Sequence, residues 1–117
     1  MDEAAIADIF AAFRPVRVTR LFGGLGLYAD GVMFGLVMHD QIYLKTDADL
    51  ARDLEAAGAE PFIYQARGRA VTVSYWSLPD AAIDDAEAAA ELAARALRVA
   101  LDAAARKPVR RRKFAPE

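Results

Sequence analysis

The sequence contains no cysteine and only one histidine among its 117 residues. The lack of cysteine excludes disulfide bridges, thiolate zinc sites and cysteine nucleophiles. A single imidazole, His39, cannot build a site that needs two histidine ligands, and we interpret it as a polar residue in a hairpin turn. Neither Ser74 nor Ser77 has a base partner in a recognisable pattern. We therefore expect no metal, no cofactor and no enzymatic activity.

Long apolar runs are also missing. No stretch approaches the roughly 18 uncharged apolar residues of a membrane span, and the first residues lack the basic start and apolar run of a signal peptide. These absences predict a cytoplasmic protein without membrane contact. The length predicts one domain, although the core is modest because 27 of the hydrophobic residues are alanine. Twelve arginines against three lysines, with so many alanines, indicate a GC-rich bacterial genome.

Charge divides the chain into an acidic body and a basic tail. Residues 1–105 hold nine basic and sixteen acidic residues, so we assign the folded domain to this range. Residues 106–117 form a basic C-terminal tail with six cationic side chains: Arg106, Lys107, Arg110, Arg111, Arg112 and Lys113. Such a tail either contacts phosphates or an acidic partner, or is a solvated terminus or one that folds back on the acidic body. Nucleic-acid binding by these six residues is therefore the alternative function. The acidic body argues against it, because it repels phosphate.

Hydrophobic periodicity predicts three helices and six strands. The helices are expected over residues 2–13, 47–57 and from about 84 to Arg106, where Pro108 ends the last one. Thr46 is the expected cap of the second helix and Asp84 that of the third. The strands are expected over residues 16–21, 27–29, 32–38, 42–45, 61–64 and 70–76, with the apolar run 32–38 as a central strand covered on both faces. The order α-β-β-β-β-α-β-β-α predicts a two-layer α+β fold, a mainly antiparallel sheet with helices on one face.

The glycine-rich segment from Phe22 to Gly26 is expected to be a loop or bulge that allows close backbone approach. Residues 24–29 also satisfy the dinucleotide-binding fingerprint, but the Asp30-Gly31 turn and a strand follow where that site needs a helix. Nucleotide binding is therefore not expected. Further along, Tyr75 and Trp76 lie on opposite faces of the last strand by simple alternation. They are either core and rim residues or part of a partner surface.

Several strings resemble one family closely. They are RLFGGLGLY (20–28), DGVMFGLV (30–37), DQIYLKTD (40–47), GAEPF (58–62) and SYWSLP (74–79). Together they resemble the N-terminal domain of the TfoX/Sxy regulators of competence. The resemblance implies a fold like that of secretion chaperones and, in full-length members, a role as transcriptional co-regulator acting with the cAMP receptor protein. Full-length members add a helical C-terminal domain, so we expect this chain to be a stand-alone N-terminal module.

The resemblance transfers no catalytic residue, so the expected function is a non-enzymatic protein-interaction module that acts as a transcriptional co-regulator. The expected partner is a protein, and a transcription factor such as the cAMP receptor protein is the named candidate. Homodimerisation is also expected, since short two-layer domains often complete their burial by pairing. The expected partner surface comprises Phe22, Gly23, Gly24, Gly26, Tyr75 and Trp76.

Overall fold

The computed structural model describes residues 1–21, 23–66 and 68–112. Its helices are α1 (Glu3–Ile9), α2 (Ala48–Ala56), α3 (Asp80–Ile83) and α4 (Ala86–Arg112). Its strands are β1 (Arg17–Leu21), β2 (Gly24–Ala29), β3 (Val32–Met38), β4 (Gln41–Lys45), β5 (Pro61–Ala66) and β6 (Arg69–Ser77). All six strands form one antiparallel sheet in the order β1-β2-β3-β4-β6-β5. The predicted α+β fold and element order are confirmed, with the four-residue helix α3 as an addition.

The helices and one face of the sheet share a single hydrophobic core. The buried side chains of α1, α2, α3 and α4 lie in one cluster with those of the strands. Helix α4 packs on β3 and β4 through a stripe of buried alanines: Ala89, Ala93, Ala96 and Ala100. Alanine combines high helix propensity with a small side chain, so the helix axis lies close to the sheet. We call the face of the sheet that the helices cover the helix face, and the other the open face.

Helix α1 is shorter than predicted. It ends at Ile9, and residues 10–13 form turns, although Phe10 remains fully buried. Phe34 of β3 meets the rings of Phe10 and Phe13 edge to face, with centroids 5.8 and 5.4 Å away. The i, i+3 and i+4 spacing therefore marked side chains that do reach the core. It placed the end of the helix one turn too late, because beyond Phe10 the backbone N–H groups of Ala11 and Phe13 bond three residues back, in turns, instead of four.

Aspartates cap α2 and α4, each one residue beyond the cap that the sequence pattern predicted. The side chains of Asp47 and Asp85 accept hydrogen bonds from the backbone N–H groups three residues later, at 2.9 and 3.1 Å. The predicted cap Thr46 is instead buried, and its backbone N–H donates to the carbonyl of Ser74. The predicted cap Asp84 lies at the C-terminal end of α3. Aspartate at these positions satisfies N–H groups that the first turn leaves free.

Helix α4 continues through Pro108 to Arg112, so the prediction that the helix ends near Arg106 is wrong. Proline removes one backbone hydrogen bond and clashes with the preceding turn. Arginine and lysine on both sides favour the helix, and positive charge is stabilised near a helix C-terminus. The basic stretch up to Arg112 is thus part of α4, whereas Lys113 lies outside the described residues.

The glycine-rich segment is strand rather than loop, which corrects the sequence interpretation. Gly24 and Gly26 belong to β2, and only Gly23 lies in the turn between β1 and β2. An irregularity follows instead at Leu27, where one extra residue of β3, Phe34, lies between the partners of Leu27 and Tyr28. The tight Asp30-Gly31 turn between β2 and β3 is confirmed, with φ of 52° and 82°. Within the described ranges no helix is both long and apolar enough to cross a membrane.

Candidate partner-binding groove

The bulge at Phe34 decides which residues of β3 face the helices. Because a bulge adds one residue to one strand, side-chain alternation restarts beyond it. Phe34 and Val37 belong to the core cluster on the helix face. Leu36 is 6% exposed yet lies outside that cluster, and it lines the open face together with Met33 and Met38. The expectation that β3 is covered by other elements on both faces is therefore wrong, since the helices cover only one.

The open face contains a mainly apolar cavity, which we call the open-face groove. It has a volume of about 930 Å³. Residues from five of the six strands and two turn residues line it: Leu21, Gly23, Met33, Leu36, Met38, His39, Tyr43, Pro61, Phe62, Ile63, Tyr64 and Val73. The groove therefore runs across the strands, from the β1–β2 hairpin to the edge strand β5.

Aromatic residues form the β5 side of the groove. Tyr43 of β4 and Phe62 of β5 stack with ring centroids 4.9 Å apart. Burial, together with the carboxylate of Glu60, raises the pKa of the Tyr43 hydroxyl, so this side chain stays neutral at physiological pH. Tyr64 is 49% exposed on the open face, whereas Ile63, which is 51% exposed, projects to the opposite face because it pairs with Thr72 of β6. This side of the groove is apolar and accessible.

Two cation–aromatic pairs lie next to the groove on the same face. The guanidinium of Arg17 lies 5.8 Å from the ring centre of Tyr28, and the ammonium of Lys45 lies 5.3 Å from that of Tyr75. Tyr28 pairs with the groove residue Met33 across β2 and β3. Burial is the main cause that raises the pKa of the Tyr75 hydroxyl, and the proximity of Tyr28 adds to it. The two pairs thus place positive charge beside an apolar surface.

Charge is segregated between the two layers. The six strands contain four charged residues, and all four are basic: Arg17, Arg20, Lys45 and Arg69. Within the described ranges, every aspartate and glutamate lies in a helix, a cap, a turn or a connecting segment. The acidic character that the sequence assigned to the whole body therefore belongs to the helical layer and the turns. The sheet itself is basic.

The structure separates the residues of the predicted partner surface. Gly23 lines the groove, and Gly26 lies on the open face beneath Thr19 and Met33. Gly24 packs against Val37 and Met38, and Tyr75 lies on the open face beside Lys45. Trp76 packs against the core on the helix face. Phe22 lies outside the described residues. Gly23, Gly26 and Tyr75 therefore share the open face, whereas Trp76 is on the other side of the sheet.

A second cavity of about 480 Å³ adjoins the turn between β3 and β4, and Met1, Arg20 and His39 help to line it. His39 and Asp40 form this turn with φ of 52° and 64°. The N-terminal ammonium of Met1 donates a hydrogen bond to Asp40 Oδ1 at 2.6 Å, which raises the pKa of the ammonium and lowers that of the carboxyl. His39 is exposed and lies in a hairpin turn, as the sequence predicted.

The described residues hold no cluster of three or more histidine, aspartate or glutamate side chains that could bind a metal ion. In the same part of the chain, no buried polar side-chain atom lacks a hydrogen-bond partner. The arrangement at the open face is suited to burying apolar side chains of another molecule. Basic groups beside it favour an acidic ligand.

Sequence reasoning missed most of the groove residues, including Met33, Leu36 and Met38. The available signal was the unbroken apolar run of β3, because a strand with apolar residues on both sides needs cover on both. The predicted helices supply cover for one face only. An apolar second face therefore indicates an unfilled binding surface.

No curated protein sequence shows significant similarity to this chain. The family model described as the TfoX N-terminal domain does match it, over residues 8–100. The matched range runs from the end of α1 through the six strands into α4, and it therefore includes both the core and the open-face groove. Since this range is most of the chain, the protein belongs to the TfoX N-terminal domain family.

Proposed function

We propose that this chain is a non-enzymatic protein-interaction module that acts as a transcriptional co-regulator. Its partner is a transcription factor, with the cAMP receptor protein as the first candidate. Family membership supports the regulatory role, and the open-face groove supplies the binding surface. Catalysis is not part of the proposal, because the sequence pattern gives neither Ser74 nor Ser77 a base partner and the described residues hold no metal-binding cluster.

The single observation that carries the proposal is the apolar groove on the open face. A sheet in a two-layer fold needs one covered face, and the helices provide it. The other face of this sheet buries Leu36 among its own side chains and leaves Tyr64 half exposed. Aromatic and methionine side chains are enriched at protein interfaces, and both types line the groove. A partner that covers these residues removes them from water.

The test is direct binding of the purified chain to labelled cAMP receptor protein from the same organism, measured by fluorescence anisotropy. Tyr64→Asp and Met38→Asp place a charge in the groove at side chains that are not fully buried, so the fold should persist. We expect each to weaken binding at least tenfold. Leu101→Asp is the matched control, because Leu101 is an exposed leucine on α4, in the other layer.

Circular dichroism establishes first that all three variants are folded. Equal binding by the groove variants and the unaltered chain would reject the groove as the binding surface. An equal loss of affinity in the Leu101→Asp control would also reject the groove as the binding surface. Lack of binding by the unaltered chain would contradict the choice of the cAMP receptor protein as partner.

Nucleic-acid contact is the second candidate, favoured by the continuation of α4 to Arg112. The helix carries the basic residues away from the acidic residues at its own beginning, Glu87 and Glu91. Truncation after Ala105 removes all six basic residues of the tail. If the tail binds DNA, the affinity falls steeply with salt in the full chain, and truncation abolishes that dependence. DNA affinity that survives truncation would reject this candidate.

A further inference from the structure

We propose that the open-face groove receives an amphipathic helix of the partner, with acidic side chains along the borders of its apolar stripe. This inference rests on the proposed function, since it specifies what occupies the same surface. It commits to one kind of segment, a helix rather than an added strand. It also commits to one sign of charge.

The helical form follows from the direction of the groove. The lining residues come from β1, β3, β4, β5 and β6, so the occupant crosses the strands instead of extending the sheet at an edge. Backbone groups inside a sheet are already hydrogen-bonded between strands, and the face offers side chains only. A segment buried on such a face must satisfy its own backbone hydrogen bonds, which a helix does. The result is a third layer on the sheet, a common arrangement in α/β proteins.

The lining of the groove also suits a helix with large apolar side chains. Met33 and Met38 are two of the three methionines in the chain, and both lie in the groove. Methionine is flexible and polarizable, so it adapts to side chains of different shape. Tyr43, Phe62 and Tyr64 add flat aromatic surfaces on the other side. Helix-binding grooves typically bind apolar side chains at positions i, i+3, i+4 and i+7 of the bound helix.

The negative charge proposed for the bound helix follows from the positive charge of the sheet. Arg17 and Lys45 lie on the open face over Tyr28 and Tyr75, and the strands contain no acidic residue. Carboxylates along the borders of the helix stripe would approach these cations across the partly exposed border of the groove. Charge complementarity of this kind speeds association and excludes wrong partners. It is weakened by salt.

The same charges argue against a second copy of this chain as the occupant. Two open faces brought together would bring Arg17 and Lys45 of both copies into one interface, with four cations and no acidic strand residue. The helical layer of a second copy, which is acidic up to residue 105, would be complementary in sign over that part. That contact joins two different surfaces and does not close into a symmetric pair. A foreign acidic helix is therefore the occupant that the charge distribution favours.

The experiment uses three labelled 16-residue peptides and the full chain. The first has leucine and methionine in a helical stripe bordered by glutamate. The second replaces every glutamate with lysine, and the third keeps the glutamates but has a proline at its centre. Fluorescence anisotropy gives the three affinities, and amide chemical shifts of the labelled chain locate the peptide.

We expect the glutamate peptide to bind at least tenfold more tightly than the lysine peptide and the proline peptide. The shifted amides should belong to β3, β4 and β5. The double variant Arg17→Glu, Lys45→Glu should reverse the preference between the first two peptides, and Tyr64→Asp should weaken the binding of both. Reversal is a specific result, because unfolding would weaken all peptides alike.

Equal affinity for the glutamate and lysine peptides would overturn the charge assignment. Equal affinity for the proline peptide would overturn the helical form. Amide shifts on α4, or along the outer edge of β5 alone, would overturn the location. If no peptide binds while Tyr64→Asp still weakens binding of the cAMP receptor protein, this inference fails and the proposed function stands. If the glutamate peptide binds but the receptor does not, the proposed partner fails instead.

Discussion

Gly24 of β2 lies so close to Val37 of β3 that a Cβ atom on Gly24 would be 2.1 Å from the carbonyl oxygen of Val37. The obstacle is backbone, which cannot move without disturbing the pairing of the two strands. We therefore expect Gly24→Ala to reduce the free energy of unfolding by at least about 2 kcal/mol. Urea denaturation followed by the fluorescence of Trp76, the sole tryptophan, measures this change.

Gly31→Asn is the control for that substitution. Gly31 has a φ of 82°, and a Cβ atom added there would have no other atom within 4 Å. Asparagine tolerates this backbone conformation better than other residues. The free energy of unfolding of Gly31→Asn should fall by no more than about 1 kcal/mol. A Gly24→Ala protein as stable as this control would show that β2 and β3 are less tightly apposed.

The ring of Phe34 should be among the most costly side chains to remove. It is fully buried and meets the edges of two other aromatic rings, Phe10 and Phe13. Phe34→Ala should reduce the free energy of unfolding by about 3–5 kcal/mol, because both the transfer energy and a cavity contribute. Phe34→Leu, which keeps most of the volume, should cost clearly less. Equal losses in the same urea assay would contradict the aromatic packing.

The alanine stripe of α4 predicts opposite outcomes at adjacent positions. Ala93 is completely buried against the sheet, whereas its neighbour Ala94 is exposed. Ala93→Leu forces extra volume into a packed interface and should cost about 1–3 kcal/mol. Ala94→Leu has similar helix propensity and should change the stability by less than about 0.5 kcal/mol. Equal stability of the Ala93→Leu and Ala94→Leu variants in thermal or urea unfolding would mean that α4 does not approach the sheet so closely.

The contact between Met1 and Asp40 predicts a pH dependence with a defined sign. The hydrogen bond to Asp40, and next the charge of Asp40, raises the pKa of the N-terminal amine above 8.0. The stability that this contact contributes is therefore complete below pH 8.0 and is lost as the pH rises through the pKa of the amine in the folded protein. The same contact lowers the pKa of Asp40 below 3.8, so its stabilisation is complete above that pH and lost as the pH falls through the folded pKa.

Asp40→Asn tests this dependence. The difference in melting temperature between the unaltered chain and the variant should be largest near about pH 6 and should shrink towards both extremes. The difference is small because both groups are exposed. A difference that stays constant from acidic to alkaline pH would contradict the ion pair. Acetylation of the amine should reproduce the effect of the substitution.

Local signals in the sequence predicted the elements that depend on local interactions. The Asp30-Gly31 turn follows from the need for positive φ at both positions, and the structure has it. Alternation along β6 separated Tyr75 from Trp76, and the structure places them on opposite faces of the sheet. The sequence strings that resemble the TfoX/Sxy family predicted the fold as a whole. The predictions of turn and face succeeded because each rests on neighbours in the chain.

The groove could not be predicted in the same way, because it depends on pairing between distant segments. The bulge at Phe34 appears only when β2 is aligned with β3, and it determines that Leu36 faces away from the helices. The position of β6 between β4 and β5 likewise brings Tyr43 next to Phe62, although the two are separated by α2 in the chain. Periodicity shows that a strand has two kinds of face. It does not show which face another element covers.

The position of α4 at the end of the described chain has a consequence for biosynthesis. This helix is the last of the described elements to leave the ribosome, yet it supplies the surface on which β3 and β4 are buried. Until residues 86–100 emerge, β3 lacks the cover of α4 on its helix face, where Phe10 and Phe13 contact only part of it, and its open face is uncovered as well. Unpaired apolar strands of this kind associate readily with other chains. Burial of β3 is therefore delayed until α4 has been translated. A chaperone that binds apolar segments would protect the nascent protein most during this interval.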